Sequence, residues 1–247
     1  MKITKTSDTF VNESALFKHL QNMEENTWTE RTVYITSDSL SGSSSTPTLS
    51  GAAIKTVIEN LGPSESGFVI FRRDEYVEVV EPPMQIPMDA IMQDQDILML
   101  EDIFQEKPTV GVVLLRLGRF AVGVLSGGSV IASKTEGRYV KNRHKAGGSS
   151  QRRFERSRER LVRELYDKTC ETMENVFAPH AEDISRIFLG GEKHTLNAFA
   201  KRCGYLSNFK EKISSRNLNV GEPNQKALEG ISKDVFSSRV MTFELSA

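Results

Sequence analysis

The residues able to do chemistry in this chain are concentrated between Gly137 and Arg163, GRYVKNRHKAGGSSQRRFERSRERLVR. From Arg138 to Arg158 the segment holds eight cations (Arg138, Lys141, Arg143, Lys145, Arg152, Arg153, Arg156 and Arg158) against Glu155 alone, net +7. Cations at that density repel one another, and phosphates are the ligands that relieve the repulsion. A solvated basic helix face is the plain alternative, but it does not explain the tip, Gly147-Gly148-Ser149-Ser150-Gln151. Small side chains there leave backbone amides accessible and let a loop enter a narrow space beside RNA. Gln151 is the one amide side chain at that tip. His144, which titrates near neutral pH, reads first as a phosphate contact and second as a proton shuttle. The stretch from about Lys141 to Ser150 has a Gly-Gly-Ser-Ser core and almost no apolar side chain, so it is expected to be mobile until phosphates neutralise it.

Other candidate chemistries are weaker. Paired divalent ions of the ribonuclease H type need carboxylates on central strands, and the runs Val110 to Leu117 and Arg119 to Leu125 contain neither Asp nor Glu. Leu189-Gly190-Gly191-Glu192-Lys193-His194-Thr195 lacks the Gly-Lys-Ser/Thr order of a nucleotide-binding P-loop. It reads as a strand-to-helix turn whose helix N-terminus could hold a phosphate. His19, His180 and His194 form no ligand spacing, so no metal is assigned. Cys170 and Cys203 are the only cysteines, and they read as two buried free thiols.

These residues need elements to position them. Three β-prone runs, Val110 to Leu117, Arg119 to Leu125 and Ser129 to Thr135, are joined by short Gly-containing connections that predict two hairpins. A basic loop leads to a helix from about Arg152 to Phe177, with Phe154, Leu161, Leu165, Met173 and Val176 at helical spacing. A strand (Ile184 to Leu189), a helix (Glu192 to Cys203), an extended segment (Phe209 to Leu218), a helix (Pro223 to Phe236) and a strand (Val240 to Leu245) follow. Three antiparallel strands and then alternating helices and strands predict a ribonuclease-H-like α/β layer. Upstream, a strand at Thr32 to Ile35, a helix from Gly51 to Leu61, and strands at Gly67 to Arg72 and Tyr76 to Val80 predict a small α+β domain. The polar run Ser37 to Ser50 reads as a mobile loop within it.

Charge divides the chain in the same place. Residues 1 to 107 hold 8 Lys and Arg against 18 Asp and Glu, net −10, whereas residues 108 to 247 hold 24 against 15, net +9. The expected domains are therefore 1–107, acidic, and 108–247, basic and suited to nucleic acid. No apolar run approaches the roughly 18 residues of a membrane span, and Met1 to Phe10 has no apolar core of a secretory signal. A cytoplasmic protein is expected, with no membrane partner.

The run Arg143-His144-Lys145-Ala146-Gly147-Gly148-Ser149-Ser150-Gln151-Arg152-Arg153-Phe154, leading into a basic helix, resembles the catalytic loop of archaeal and eukaryotic class-I release factors, whose tip is Gly-Gly-Gln. It resembles more closely the Vms/ANKZF branch, the release-factor-like peptidyl-tRNA-processing proteins of ribosome quality control, whose tip is Gly-x-x-Gln. Gly148 to Gln151 fits that pattern. In architecture the resemblance covers about Thr109 to Leu245. It implies an α/β chain: an α+β N-terminal domain followed by a ribonuclease-H-like mixed-sheet release-factor catalytic domain, with the loop at 138–153. It further implies a metal-independent hydrolase without cofactor, acting on peptidyl-tRNA at the large ribosomal subunit. Gly148, Ser149, Ser150 and Gln151 would lie at the reacting centre, with Arg138, Lys141, Arg143, His144, Lys145, Arg152, Arg153 and Arg156 on RNA. The Gln151 amide N–H would stabilise an oxyanion, and its side chain would limit the nucleophile to water. The departure from Gly-Gly-Gln leaves two bonds open, the peptidyl ester and a phosphodiester near the tRNA 3′ CCA end. The alternative from another class is a non-catalytic ribosome- or RNA-binding module; a stop-codon reader is disfavoured by the acidic N-terminal domain.

Overall fold

A computed structural model describes residues 2–26, 31–41, 52–73, 75–105, 107–140 and 149–246. In chain order the elements are β1 (Lys2–Val11), α1 (Glu13–Asn26), β2 (Arg31–Ile35), α2 (Ser37–Leu40), α3 (Ala52–Leu61), β3 (Phe68–Arg72), β4 (Tyr76–Glu81), β5 (Ala90–Gln93) and α4 (Leu98–Gln105). There follow β6 (Val110–Arg116), β7 (Arg119–Ser126), β8 (Ser129–Gly137), α5 (Ser149–Phe177), β9 (Arg186–Gly191), α6 (Lys193–Arg202), β10 (Ile213–Leu218), α7 (Gln225–Gly230), α8 (Ser232–Val235) and β11 (Ser238–Ser246). The chain is α/β, with two sheets in two units: 1–107 together with 233–247, and 108–232.

The first unit is a six-stranded antiparallel sheet in the order β1-β11-β4-β3-β2-β5. In β3 the buried run Phe68 to Phe71 alternates between two cores. Val69 and Phe71 pack with Leu16 and Leu20 of α1 and Leu100 and Phe104 of α4, while Phe68 and Ile70 pack with Ile54 and Val57 of α3. Burial on both faces explains why the strand reads as a continuous apolar run rather than an alternating one.

The last strand corrects a boundary. Val240 to Leu245 was expected in the second domain, but β11 pairs with β1 from Lys2↔Ser246 to Val11↔Ser238 and with β4 from Arg239↔Glu81 to Glu244↔Tyr76. Its alternation satisfies either sheet, so only pairing decides. Ser37 to Ser50 differs as well: Ser37–Leu40 is helical, with Thr36 Oγ1 accepting from the Ser39 N–H at 3.3 Å. Residues 42–50 lie outside the described ones.

The second unit is a five-stranded mixed sheet in the order β10-β9-β6-β7-β8. β6, β7 and β8 form the two expected hairpins, and β9 and β10 then run parallel to β6. This is the ribonuclease-H-like layout. The turns need positive φ, supplied by Gly118 at 102° and by Gly127 and Gly128 at 56° and 81°. Val113, Leu115, Phe120, Val122 and Val124 pack under Leu165, Met173 and Phe177 of α5 and Leu196 and Phe199 of α6. The helix expected over Pro223 to Phe236 is broken into α7 and α8, and the extended segment from Phe209 begins as a 3-10 turn over Tyr205–Lys212 before β10. The two cysteines are not free thiols but form a disulfide, Cys170 on α5 to Cys203 at the end of α6. Packing of α6 against α5 brings the two Cα atoms to 5.4 Å, within bridging range, which a separation of 33 residues does not announce.

Candidate functional site

α5 begins at Ser149, three residues before the expected start. Ser149, Ser150 and Gln151 thus form its first turn and do not belong to a loop. The side chain of Gln151 supports that turn, its Nε2 donating to Glu155 Oε1 at 3.1 Å one turn on. The first four N–H groups of an α-helix have no acceptor within the helix, so the amides of Ser149, Ser150 and Gln151 stand outside its hydrogen-bond ladder and carry the positive end of its dipole. Gly148, Lys141, Arg143, His144 and Lys145, and with them the expected mobility of the loop, lie outside the described residues.

The far end of α5 fixes its direction. A Cβ on Gly111, at the start of β6, would lie 2.6 Å from the Phe177 ring, so the last turn of α5 sits over the first residues of β6. Twenty-nine helical residues span roughly 43 Å, while the seven of β6 span roughly 23 Å. The helix is therefore roughly 20 Å longer than the strand, and its N-terminal part carries the excess. Burial agrees: none of residues 151–164 is buried, and Leu165 is the first that is. Phe154, expected on the apolar stripe, is 52% exposed because it lies on this overhang.

Arg152, Arg153 and Arg156 are exposed on the overhang, and among the described residues they make no ion pair. Further along, Arg160 lies 3.7 Å from Glu164, Lys168 lies 2.9 Å from Glu171, and Arg202 of α6 holds Asp167 through two bonds of 2.6 and 2.7 Å. Arg138, at the end of β8, is 44% exposed and lies 3.4 Å from Glu136.

Residues 108–241 match the family described as Actinobacteria/chloroflexi VLRF1 release factor. The chain belongs to this family. The part of the VLRF1 release-factor match that carries the motif, 138–158, lies well inside it. The chain is also similar to peptide chain release factor subunit 1 of Picrophilus torridus, 29% identical over 177 residues that cover 66% of this chain and 43% of the relative. To the same factor of Thermoplasma acidophilum it is 30% identical over 192 residues, covering 72% of this chain and 46% of the relative. It spans less than half the length of either. Among solved structures, the Vms1 mitochondrial localization core is similar at a TM-score of 0.42 and 12% identity, covering 83% of this chain and 89% of that one. The archaeal translation termination factor aRF1 is similar at 0.39 and 17%, covering 92% and 73%.

In this VLRF1 release-factor chain the P-loop-like turn after β9 has a structural explanation. Gly191 has φ 136°, and a Cβ on it would meet the Leu115 carbonyl oxygen at 2.1 Å. A Cβ on Gly190 would lie 2.8 Å from Leu114 and 2.9 Å from Val220. Gly191 serves close backbone approach, and Gly190 leaves room for the side chains packed against it. Lys193 and His194 stand exposed in the first turn of α6, at the carboxyl end of β9. Among the described residues no helix is long and apolar enough to cross a membrane.

Proposed function

We propose that this chain is a ribosome rescue factor of the Vms/ANKZF type, which frees stalled nascent chains by acting on peptidyl-tRNA in the large subunit through Gly148, Ser149, Ser150 and Gln151. One observation carries the reading: Gln151 lies in the first turn of a helix whose first turns, residues 151–164, are nowhere buried, on the stretch where Arg152, Arg153 and Arg156 lack acidic partners among the described residues. Such a projection can enter a confined RNA-lined space, and phosphates supply the missing anions. The N–H groups of the first turn are placed to stabilise an oxyanion, whether on the tetrahedral carbon of the ester or on a phosphorane near the CCA end. In the first case water attacks and the tRNA leaves as the 3′ alcohol; in the second the adjoining 2′-hydroxyl attacks and the chain beyond leaves as a 5′ alcohol. Both run on positioning, with no protein carboxylate or thiol as nucleophile.

Stalled ribosome complexes incubated with the protein, followed by sizing of both peptide and tRNA, tell the two bonds apart. Gln151→Ala should lower turnover by about two orders of magnitude, as loss of positioning does, while affinity for the large subunit stays within about twofold. Wild-type turnover in that variant removes Gln151 from the mechanism. Binding by the wild-type protein without any product favours the non-catalytic RNA-binding module.

A further inference from the structure

The topology of the mixed sheet brings Arg138 and Tyr139, at the start of the basic segment, together with Arg116, Leu117 and Arg119, which lie outside it. β6, β8, β9 and β10 all run in one direction, so their carboxyl ends share one end of the sheet, the end past which α5 projects. There Arg116 faces Arg119 across the β6–β7 turn. The N–H of Arg138 donates to the Gly118 carbonyl of that turn at 2.8 Å, which ties the end of β8 to it. Tyr139 follows, 77% exposed, and Leu117 in the turn is 40% exposed.

The three guanidiniums are exposed and lightly held. Arg116 Nη1 donates to the Gly221 carbonyl at 3.1 Å, Arg119 Nη1 lies 2.7 Å from Glu222 Oε1, and Arg138 Nε lies 3.4 Å from Glu136 Oε1. Surface pairs of this kind contribute little, and they use few of the five donors that each guanidinium offers. A tyrosine ring left in water is an unfavourable use of an aromatic side chain unless something covers it. An exposed ring among arginines is what single-stranded nucleic acid requires: a stacking surface for a base, with cations for the phosphates on either side.

We infer that this end of the sheet binds unpaired nucleotides of RNA, with Tyr139 stacked on a base and Arg116, Arg119 and Arg138 on the flanking sugar-phosphate backbone. The choice of RNA rests on the proposed function, but the binding needs none of the chemistry assigned to Gln151. Unpaired nucleotides fit better than a duplex, because paired bases are already stacked inside an A-form helix and offer Tyr139 no free face.

The test uses the full chain and two probes: a short single-stranded RNA carrying the fluorescent base 2-aminopurine, and a blunt RNA duplex of the same length. The wild-type protein should quench the single strand and bind it more tightly than the duplex. Tyr139→Ala should weaken single-strand binding roughly 5- to 150-fold, with the salt slope unchanged because no phosphate contact is lost. Tyr139→Phe should bind as the wild type does, and Arg119→Ala should flatten the slope by somewhat under one. Wild-type binding by Tyr139→Ala, equal loss in Tyr139→Phe, or equal affinity of the wild type for duplex and single strand each overturns the inference. If Gln151→Ala abolishes turnover while Tyr139→Ala binds normally, the rescue reading stands and this one falls. If Tyr139→Ala loses the oligonucleotide although the wild type releases no peptide, this one stands alone.

Discussion

The hydrogen bond from Gln151 to Glu155 shows how a single residue changes the meaning of a motif. In the sequence, Gln151 closes a run of small residues; in the fold it lies in the first turn of a helix, and its backbone N–H is oriented by the helix axis. The residue type was legible, but its setting was not, because Ser and Gln are compatible with both a loop and a first helical turn. The reverse holds for His19, which has no spacing to mark it. Its Nε2 lies 2.7 Å from Oε1 of Glu78, whose side chain is 8% exposed. The hydrogen bond to Glu78 raises the His19 pKa above its ordinary 6.5, against the opposing effects of burial and Arg73. A raised folded-state pKa means that the pair stabilises fully below the unfolded value and ceases to do so as pH climbs through the folded one. As pH rises above about 6.5, the wild type should therefore lose more stability than His19→Gln, read from urea midpoints at each pH. Parallel curves for the two proteins would separate His19 from that pH dependence.

At the scale of elements, α5 joins the core to the overhang, and its two halves were unequally readable. Leu165 and Met173 were placed on the core face and are fully buried. Phe154 fits the same periodicity but lies beyond the end of the sheet, and spacing along a helix carries no information about where its neighbour stops. β1, α1, β5 and α4 are less legible in the acidic part: Lys2–Val11 is too polar to stand out as a strand, and β5 is only four residues long. Two outcomes follow at this scale. Removing Arg152, Arg153 and Arg156 together by alanine should make the slope of log K against log salt for ribosome or tRNA binding shallower by about two to three, one counterion set per lost phosphate contact; an unchanged slope would show that the overhang meets no phosphate. Gly191→Ala should cost about 3 kcal/mol or more in chemical denaturation, since a Cβ is forced against the Leu115 carbonyl at a φ that disfavours it. Stability near that of the wild type would show that the turn can open.

For the whole molecule, the consequence of greatest reach is that the first unit is not continuous in sequence. The seam at Lys107 and Pro108 is marked by charge and by the onset of β6, but nothing in Ser238–Ser246 distinguishes a strand of one sheet from a strand of the other. β11 lies between β1 and β4, and Arg239 clasps Asp8 through bonds of 2.7 and 2.8 Å that hold the Asp8 carboxyl well below the usual range. Removing β11 would leave β1 without a partner, open the edge of β4, and take Val240, Met241 and Phe243 out of the two cores. A fragment of residues 1–107 should accordingly lack a cooperative thermal transition and aggregate through the bared edge, whereas residues 108–232, which keep all five strands of their sheet, should melt as one unit. Adding a peptide of residues 233–247 to the first fragment should restore strand signal in circular dichroism and a melting transition that depends on peptide concentration. A fragment 1–107 that folds cooperatively on its own would mean that β11 is dispensable to the sheet it completes.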